Sequence, residues 1–238
     1  FLNQHLDEYV YWLEITNKKR FNRVVLQGVP VNAAEELQEQ VFSKIGRVVL
    51  TSATLTTHRG FEFIRERIGF KPKEQSILDS PFDYPNQAIL YISGDLPEPS
   101  EEMEKYVSAM AKRCGELVEI SQGRTFILFT SYALMDQVYD RLQHLSSKLS
   151  LLRQGEIPIG QMIRRFKKTP GVIFGTNSFW QGVDIPGDAL KSVIITKLPF
   201  DVPSEPLTEA RIEDLRRRSI DPFSHYQIPR AIIQMRQG

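Results

Sequence analysis

The sequence lacks the features that would place the chain in a membrane, build a disulfide framework or hold a metal through cysteines. It has one cysteine, Cys114, among 238 residues, so the chain alone cannot form an internal disulfide, a thiolate zinc site or an iron–sulfur cluster. No apolar run approaches the roughly 20 residues that a membrane-spanning helix needs. The four histidines show no metal-ligand spacing. We therefore expect no metal site, no membrane partner and a cytoplasmic protein.

The chain also lacks a strong excess of charge of either sign. Its 30 Lys and Arg residues nearly balance 29 Asp and Glu residues, so the net charge of +1 gives no overall attraction to nucleic acid. Two local basic clusters, at 164–168 and 216–218, are typical of solvated helix faces, although the first also suits a position along phosphates. The chain starts at Phe1 rather than Met, without a signal-peptide pattern, which predicts a piece of a longer protein.

Helical and strand-like patterns alternate from about residue 100 onward. Ser100 is placed as the N-cap of a first helical pattern, which carries Cys114 on its apolar stripe, and Ser131 is placed to cap the next helix. Largely apolar runs, typical of strands buried on both faces, lie at 125–130, at 172–174 and from 192 towards 198. This alternation predicts an α/β fold, with a parallel sheet covered by helices through right-handed crossovers.

The pattern before residue 100 is less regular. Strand-like runs at 23–27 and 47–51 flank a helical pattern at 33–42, and they fit the last strands of an earlier α/β unit. Residues 71–99 are rich in proline and predict an extended connection. We place the domain boundary in that connection.

Polar connections follow three of the predicted strands, at the ends where parallel sheets bind ligands. They are 51–57 (TSATLTT), 130–132 (TSY) and 175–187 (GTNSFWQGVDIPG). Their hydroxyls, amides and glycines offer donors to phosphate oxygens. Hydroxyl residues are also ordinary turn and cap residues, so one such loop would indicate little. Three at equivalent strand ends favour a phosphate-containing ligand.

Five motifs occur in the order seen in superfamily 2 helicases, and the set resembles the DinG branch of the XPD-like group. They are LTSATL (50–55), SPFDY (80–84), ILFTSY (127–132), FWQGVDIPG (179–187) and ITKLPF (195–200). The terminal QMRQG (234–238) resembles the opening of that family's last motif. The resemblance covers essentially the whole chain. It implies that residues 72–238 are a RecA-like, P-loop NTPase-type domain truncated within the last motif, and that residues 1–71 hold the last strands of a first RecA-like domain.

The same resemblance implies an ATP-dependent helicase that moves 5′ to 3′ along single-stranded DNA and acts in DNA repair or replication-associated unwinding. We expect a monomer. This sequence has no G-x-x-x-x-G-K-[ST] loop and no Asp-Glu pair after a strand, and its last motif stops at Gly238, before the family's arginines. ATP and Mg²⁺ would then be bound mainly by the upstream helicase domain of the same parent chain. We expect no catalytic residue in this chain and no ATPase activity from it alone.

The resemblance assigns four residues to nucleotide binding: Gln181, Gly182, Asp184 and Gln234. Asp184 matches an aspartate that lines the ATP cleft, although a turn aspartate that caps local amides is the alternative. Gln181 stands where many relatives have Glu, which keeps hydrogen bonding but removes a charge. Gln234 either opens the last motif or is an exposed helix glutamine.

Five other residues are candidates for nucleic-acid binding. By resemblance, Ser131 and Tyr132 contact the nucleic-acid backbone, although Ser131 also fits a plain helix cap. Thr176 and Asn177 are short and polar at a strand end, which suits phosphate contacts. Trp180 either stacks on a base or packs as a wedge that fixes its loop against the sheet.

A last group, Thr51, Ser52 and Thr54, matches the motif that couples the ATP cleft to the strand-binding face. Two other classes of function stay open. One is a RecA-like binding or scaffolding module whose parent has lost its ATPase, which the parent's flanking residues would decide. The other is a metabolic α/β enzyme whose loops mimic the motifs, and five ordered matches argue against it.

Overall fold

The computed structural model describes residues 8–18, 21–57, 60–98, 102–176, 179, 183 and 185–237. Their contacts form two compact units. The first comprises the described residues up to Ser76 together with those of 199–237, and the second comprises those of 77–198. The predicted boundary between two helicase domains at residues 71 and 72 stays a prediction. The two compact units are defined by contacts between residues of this chain, and such contacts do not identify helicase domains.

The elements follow the predicted alternation after residue 100. The strands are β1 Tyr9–Lys18, β2 Phe21–Pro30, β3 Thr125–Leu128, β4 Ser150–Arg153, β5 Gly171–Gly175 and β6 Ser192–Ile195. The helices are α1 Ala34–Leu37, α2 Glu62–Ile68, α3 Tyr84–Gln87, α4 Met103–Ile120, α5 Tyr132–Arg141, α6 Ile159–Lys168, α7 Pro206–Arg217 and α8 Ile228–Gln237. Turns of π-helix lie at Gln38–Phe42 and Phe223–Gln227, and 3-10 turns lie at Gln143–Ser147 and Gly187–Ala189.

The second unit is built on a four-stranded parallel sheet in the spatial order β4–β5–β3–β6. Phe126 of β3 lies beside Ile173 of β5 on one side and Val193 of β6 on the other. Every residue of β3 and of β5 is buried, as expected for central strands covered on both faces. The structure confirms the predicted α/β fold with a parallel sheet.

Helices cover both faces of this sheet because successive strand residues point to opposite sides. On one face, Ile127 and Phe174 pack with buried residues of α4 and α5. On the other face, Phe126 and Ile173 pack with Met162 and Phe166 of α6. Burying each such side chain stabilises the fold by about 1.5–3 kcal/mol. These two clusters therefore fix the positions of the strand ends.

The first unit contains an antiparallel hairpin of β1 and β2, with Leu13 opposite Leu26. Helix α2 ends at Gly69, whose φ of +68° is the left-handed conformation typical of a helix C-terminus. A Cβ at this position would lie 2.3 Å from the carbonyl oxygen of Ala34. Only glycine therefore allows this end of α2 to approach α1 so closely.

Three details of the predicted elements change. Residues 23–27 lie within β2, but the predicted strand at 47–51 is wrong: the segment is irregular, and Val49 is 87% exposed. A strand needs a neighbour that pairs its N–H and C=O groups, and no described residue pairs with this segment. Strand β4 was not predicted, because only two of its four residues are apolar and it lies at the edge of the sheet. Helix α4 has Glu102 as its N-cap, and Ser100 lies outside the described residues.

No helix of the described residues combines the length and the apolar character that a bilayer crossing requires. Among the same residues, no three His, Cys, Asp or Glu side chains converge as a metal site. Cys114 belongs to the core of the second unit and is 3% exposed, which confirms the prediction of a small buried side chain.

Candidate nucleotide and nucleic-acid site

The carboxyl ends of β4, β5 and β3 lie side by side in the second unit and bring residues of three loops together. Gln154 follows β4, Thr176 follows β5, and Ser131 and Tyr132 lie just beyond β3. Parallel pairing explains the convergence, since the carboxyl ends of parallel strands share one edge of the sheet. Two of the three loops that sequence patterns selected therefore meet at this edge.

The side chain of Gln154 joins the other two loops. Its Oε1 accepts hydrogen bonds from the backbone N–H of Thr176 at 2.6 Å and from the Thr176 hydroxyl at 3.1 Å. Its Nε2 donates to the hydroxyl oxygen of Tyr132 at 2.7 Å. Thr176 is 5% exposed, so water cannot reach its N–H and hydroxyl donors, and the Gln154 side chain supplies their acceptor instead. Sequence patterns missed Gln154; the only clue was a polar residue directly after a short apolar run.

Ser131 and Tyr132 are exposed at the start of α5. Ser131 caps the helix as predicted: its backbone is extended, and its Oγ accepts a hydrogen bond from the N–H of Leu134 at 3.3 Å. A serine hydroxyl has one hydrogen to donate and two lone pairs, so capping leaves capacity for a ligand. The cap is thus confirmed, and the nucleic-acid contact stays a prediction for both residues.

Arg153, the last residue of β4, carries a positive charge that carboxylates balance. Its guanidinium lies 3.3 Å from Asp136 and 3.0 Å from Glu156, and it covers the ring of Tyr139 at 4.6 Å. Burial alone would lower the pKa of Arg153, but the two carboxylates outweigh burial and raise it. A phosphate at this edge would therefore meet mainly neutral donors.

Phe179 anchors the loop that follows β5. It is 3% exposed, its ring meets that of Phe126 edge to face at 6.1 Å, and its N–H donates to the carbonyl oxygen of Thr176 at 2.8 Å. A Cβ on Gly175 would lie 2.6 Å from the Phe179 ring, so glycine is what lets the ring reach the sheet. Val183 packs on the same core cluster further along the loop. The sequence-based interpretation considered a wedge at Trp180 and overlooked Phe179.

Five predicted site residues lie outside the described residues: Asn177, Trp180, Gln181, Gly182 and Asp184. Their assigned roles stay predictions. The structure does describe the anchors that flank them, since Phe179, Val183 and Ile185 all pack against the core cluster beneath the sheet's second face.

The predicted coupling residues lie in the first unit, where their loop is held by its own hydroxyls. The Oγ of Ser52 lies 3.1 Å from the Oγ1 of Thr54 and accepts the backbone N–H of Thr54 at 3.1 Å. Gln237 of α8 reaches the Thr54 hydroxyl with its Nε2 at 3.5 Å. Thr51 is exposed. The loop thus contacts the last helix, and a coupling role for these residues stays a prediction.

Gln234 is half-buried rather than an exposed helix glutamine. Its Nε2 donates to Oδ1 of Asp201 at 2.8 Å, and Oδ2 of the same carboxylate accepts from Nε of Arg230 at 3.0 Å. Two residues after Gln234, Arg236 donates to the carbonyl oxygen of Thr56 at 2.8 Å. Sequence patterns missed Asp201 as the partner of Gln234. A role for Gln234 toward a nucleotide stays a prediction.

Removing the Gln154 side chain should destabilise the second unit. Gln154→Ala leaves two buried Thr176 donors without their acceptor, which we expect to lower the free energy of unfolding by about 1–3 kcal/mol. Gln154→Glu should retain most of that stability, because a carboxylate accepts both donors and the Tyr132 hydroxyl can donate to it. Urea unfolding followed by circular dichroism measures both changes. Gln137→Ala, at an exposed position of α5, is the matched control; equal stability of the two alanine variants would contradict the role of Gln154.

Comparison with known proteins identifies the family. Residues 114–238, more than half of the chain, match the model of the helicase C-terminal domain. The chain is 39% identical over 231 residues to ATP-dependent DNA helicase YoaA of Haemophilus influenzae, a match that covers 97% of this chain and 35% of that protein. It is 35% identical over 248 residues to 3′-5′ exonuclease DinG of Bacillus subtilis, covering 98% of this chain and 26% of the relative.

A third relative is ATP-dependent DNA helicase DinG of Photobacterium profundum, 33% identical over 230 residues, with 92% of this chain and 33% of that protein covered. The chain therefore spans about a third, or less, of the length of the curated relatives it matches. The aligned region includes the strand-end loops described above and nearly the whole of both compact units. The chain belongs to the helicase C-terminal domain family, as a C-terminal part of the DinG type.

Proposed function

We propose that this chain is the C-terminal part of an ATP-dependent DNA helicase and that the edge formed by Ser131, Tyr132 and Thr176 binds single-stranded DNA. One observation carries the proposal: the Gln154 amide joins the loop of Tyr132, which resembles a nucleic-acid motif of the family, to the loop of Thr176, and it holds both at one edge of the sheet. The exposed hydroxyl groups of Ser131 and Tyr132 suit contacts with phosphate oxygens, while Thr176, whose two donors are bound to Gln154, holds the adjoining loop in place. In this proposal, Asn177 and Trp180 also contact the bound strand.

In the parent protein, ATP hydrolysis between two RecA-like domains drives 5′ to 3′ translocation. The upstream domain supplies most contacts to ATP and Mg²⁺, while Gln181, Gly182, Asp184 and Gln234 contribute from this part. Thr51, Ser52 and Thr54 couple the nucleotide to the DNA surface. The parent acts as a cytoplasmic monomer in DNA repair, and the present chain alone does not hydrolyse ATP.

Single-stranded DNA should bind this chain weakly, and salt should weaken the binding further. Each phosphate that a cation neutralises should cost about threefold in affinity between 50 and 200 mM salt, from counterion release on a single strand. The neutral donors and balanced Arg153 at the proposed edge predict a shallow dependence. Fluorescence anisotropy with a labelled oligothymidine measures it. Absence of binding at 50 mM salt, or an affinity that salt leaves unchanged, would refute the proposed surface.

The nucleotide role is tested in the parent protein, which carries the upstream domain. We expect Asp184→Asn to lower its DNA-stimulated ATPase rate about a hundredfold, as for other losses of a charge interaction in a reaction site. Asp188→Asn is the control, since this side chain is 92% exposed near the end of the same loop. A parent that binds DNA but hydrolyses no ATP in wild-type form would support the scaffolding alternative instead.

A further inference from the structure

Three arginines from three helices line one cavity of the first unit. The cavity has a volume of about 380 Å³, and Arg67 of α2, Arg211 of α7 and Arg230 of α8 reach it. Its remaining wall is partly apolar and includes Phe63, Ile64 and Ile233. A cavity of this size is within the range of small-molecule sites, which combine apolar walls with a few convergent polar groups.

Two of the arginines have protein partners. Arg230 donates through Nε to Asp201 at 3.0 Å, in an ion pair whose carboxylate is 16% exposed. Arg211 donates through Nε to the carbonyl oxygen of Val31 at 3.0 Å and reaches the Tyr226 hydroxyl at 3.5 Å. Asp201 thus offsets one of the three positive charges.

Arg67 differs from the other two. Among the described residues, no carboxylate or carbonyl oxygen accepts a hydrogen bond from its guanidinium, which instead lies over the rings of Tyr226 at 5.1 Å and Phe63 at 5.9 Å. A guanidinium has five N–H donors, and stacking on rings satisfies none of them. The helix dipole favours a cation such as Arg67 near the C-terminal end of α2. It does not explain why Arg211 and Arg230, from two other helices, line the same cavity.

The electrostatic balance of this cluster favours an anion. Among the described residues, Asp201 is the one carboxylate that forms an ion pair with any of the three guanidiniums, so the cluster carries two positive charges in excess. Burial lowers the pKa of Arg67 to about 10, and the neighbouring charge of Arg211 lowers it in the same direction. Burial and the guanidinium of Arg211 therefore both disfavour the charged form of Arg67, and a bound anion would favour it.

We propose that this cavity binds a phosphate group, which accepts hydrogen bonds from Arg67 and from the free edges of Arg211 and Arg230. A planar guanidinium matches two phosphate oxygens at once, which is why arginine is favoured for phosphate recognition. The apolar wall takes the uncharged part of the phosphate ester. The ester is either a free nucleotide or a nucleotide within a strand. Thr54, Leu55 and Gln237 also line the cavity and belong to the family motifs, whereas none of the three arginines does. The proposal rests on the arginines and not on the helicase function.

Arginine side-chain NMR tests the proposal on the 238-residue chain. Inorganic phosphate, titrated at constant ionic strength, should shift the Nε–Hε resonances of Arg67, Arg211 and Arg230 and leave that of Arg65 in place. Arg65 is the matched control, since it lies on the same helix but is exposed and does not line the cavity. No shift in the three resonances, or equal shifts in Arg65, would overturn the proposal.

Substitutions of Arg67 and Arg65 measure how much each side chain contributes to the affinity for phosphate. Arg67→Gln should weaken phosphate binding about tenfold or more, because it removes charge-assisted hydrogen bonds, while Arg65→Gln should not change it. Equal affinities for the two variants would overturn the role of Arg67. Adenosine monophosphate and an oligothymidine without terminal phosphates then distinguish the source. Displacement by the first alone indicates a free nucleotide, displacement by the second indicates a strand, and displacement by neither contradicts an ester site.

Discussion

Phe179→Ala is expected to lower the free energy of unfolding by about 3–5 kcal/mol, the range for truncating a buried phenylalanine. The ring is 3% exposed and meets Phe126 edge to face, so its removal leaves a cavity beneath the sheet. Gly175 provides the space that the ring occupies. Phe179 anchors the loop that carries the predicted nucleotide-binding residues, so we expect the substitution to free that loop from the sheet as well.

Urea unfolding measures this loss, with Phe82→Ala as the matched control. Phe82 lies in the same compact unit but is 64% exposed, so its truncation should change stability by less than about 1 kcal/mol. Similar values for the two variants would show that Phe179 does not anchor the loop. Limited proteolysis reports the loop directly: Phe179→Ala should increase cleavage between residues 176 and 187, because an unanchored segment opens more often.

Cys114 is expected to react with a thiol reagent at pH 8 about a thousandfold more slowly in the folded chain than in the unfolded chain. Burial raises the pKa of this thiol from 9.0 to about 12, and each tenfold change in proton affinity is a tenfold change in thiolate. The side chain is also 3% exposed, within the cluster that α4 forms on the sheet. The low exposure therefore slows the reaction in the same direction as the raised pKa.

The labelling rate of Cys114 is measured by absorbance in buffer and in concentrated urea. Ser108→Cys supplies the control, because it places a thiol at an exposed position of the same helix. That second thiol should react quickly and leave Cys114 slow. A folded rate within about tenfold of the unfolded rate would contradict the buried environment.

The same pKa predicts how this thiol affects stability at high pH. The folded value of about 12 exceeds the unfolded value of 9.0, so only the unfolded chain gains thiolate between them. The contribution of Cys114 to stability is therefore complete below pH 9 and declines as the pH rises toward 12.

The Gln154 bridge and the arginine-lined cavity lie in different compact units, so their tests are independent. Loss of DNA binding on altering the strand-end edge would not remove phosphate binding at Arg67. In the same way, a cavity that binds no phosphate would leave the proposed DNA surface intact. Each result can therefore be assigned to one proposal.

Much of the second unit was predictable because its information is local. A central strand such as β5 is apolar throughout, and a helix such as α4 repeats its apolar residues every three or four positions. The cap at Ser131 depends on one residue and the turn that follows it. The strand prediction at 47–51 failed for the opposite reason: an apolar segment becomes a strand only when a neighbour pairs with it.

The sequence by itself determined the parallel α/β architecture, the strand-end loops and the ordered motifs that indicate the family. Only the tertiary structure decided which side chains meet: Gln154 with Thr176, Phe179 with Phe126, and Arg67 with Arg211 and Arg230. The physical reason is that periodicity records which face of an element is buried, and motifs record local chemistry. Neither records the partner across the fold, which depends on how separate strands and helices pack.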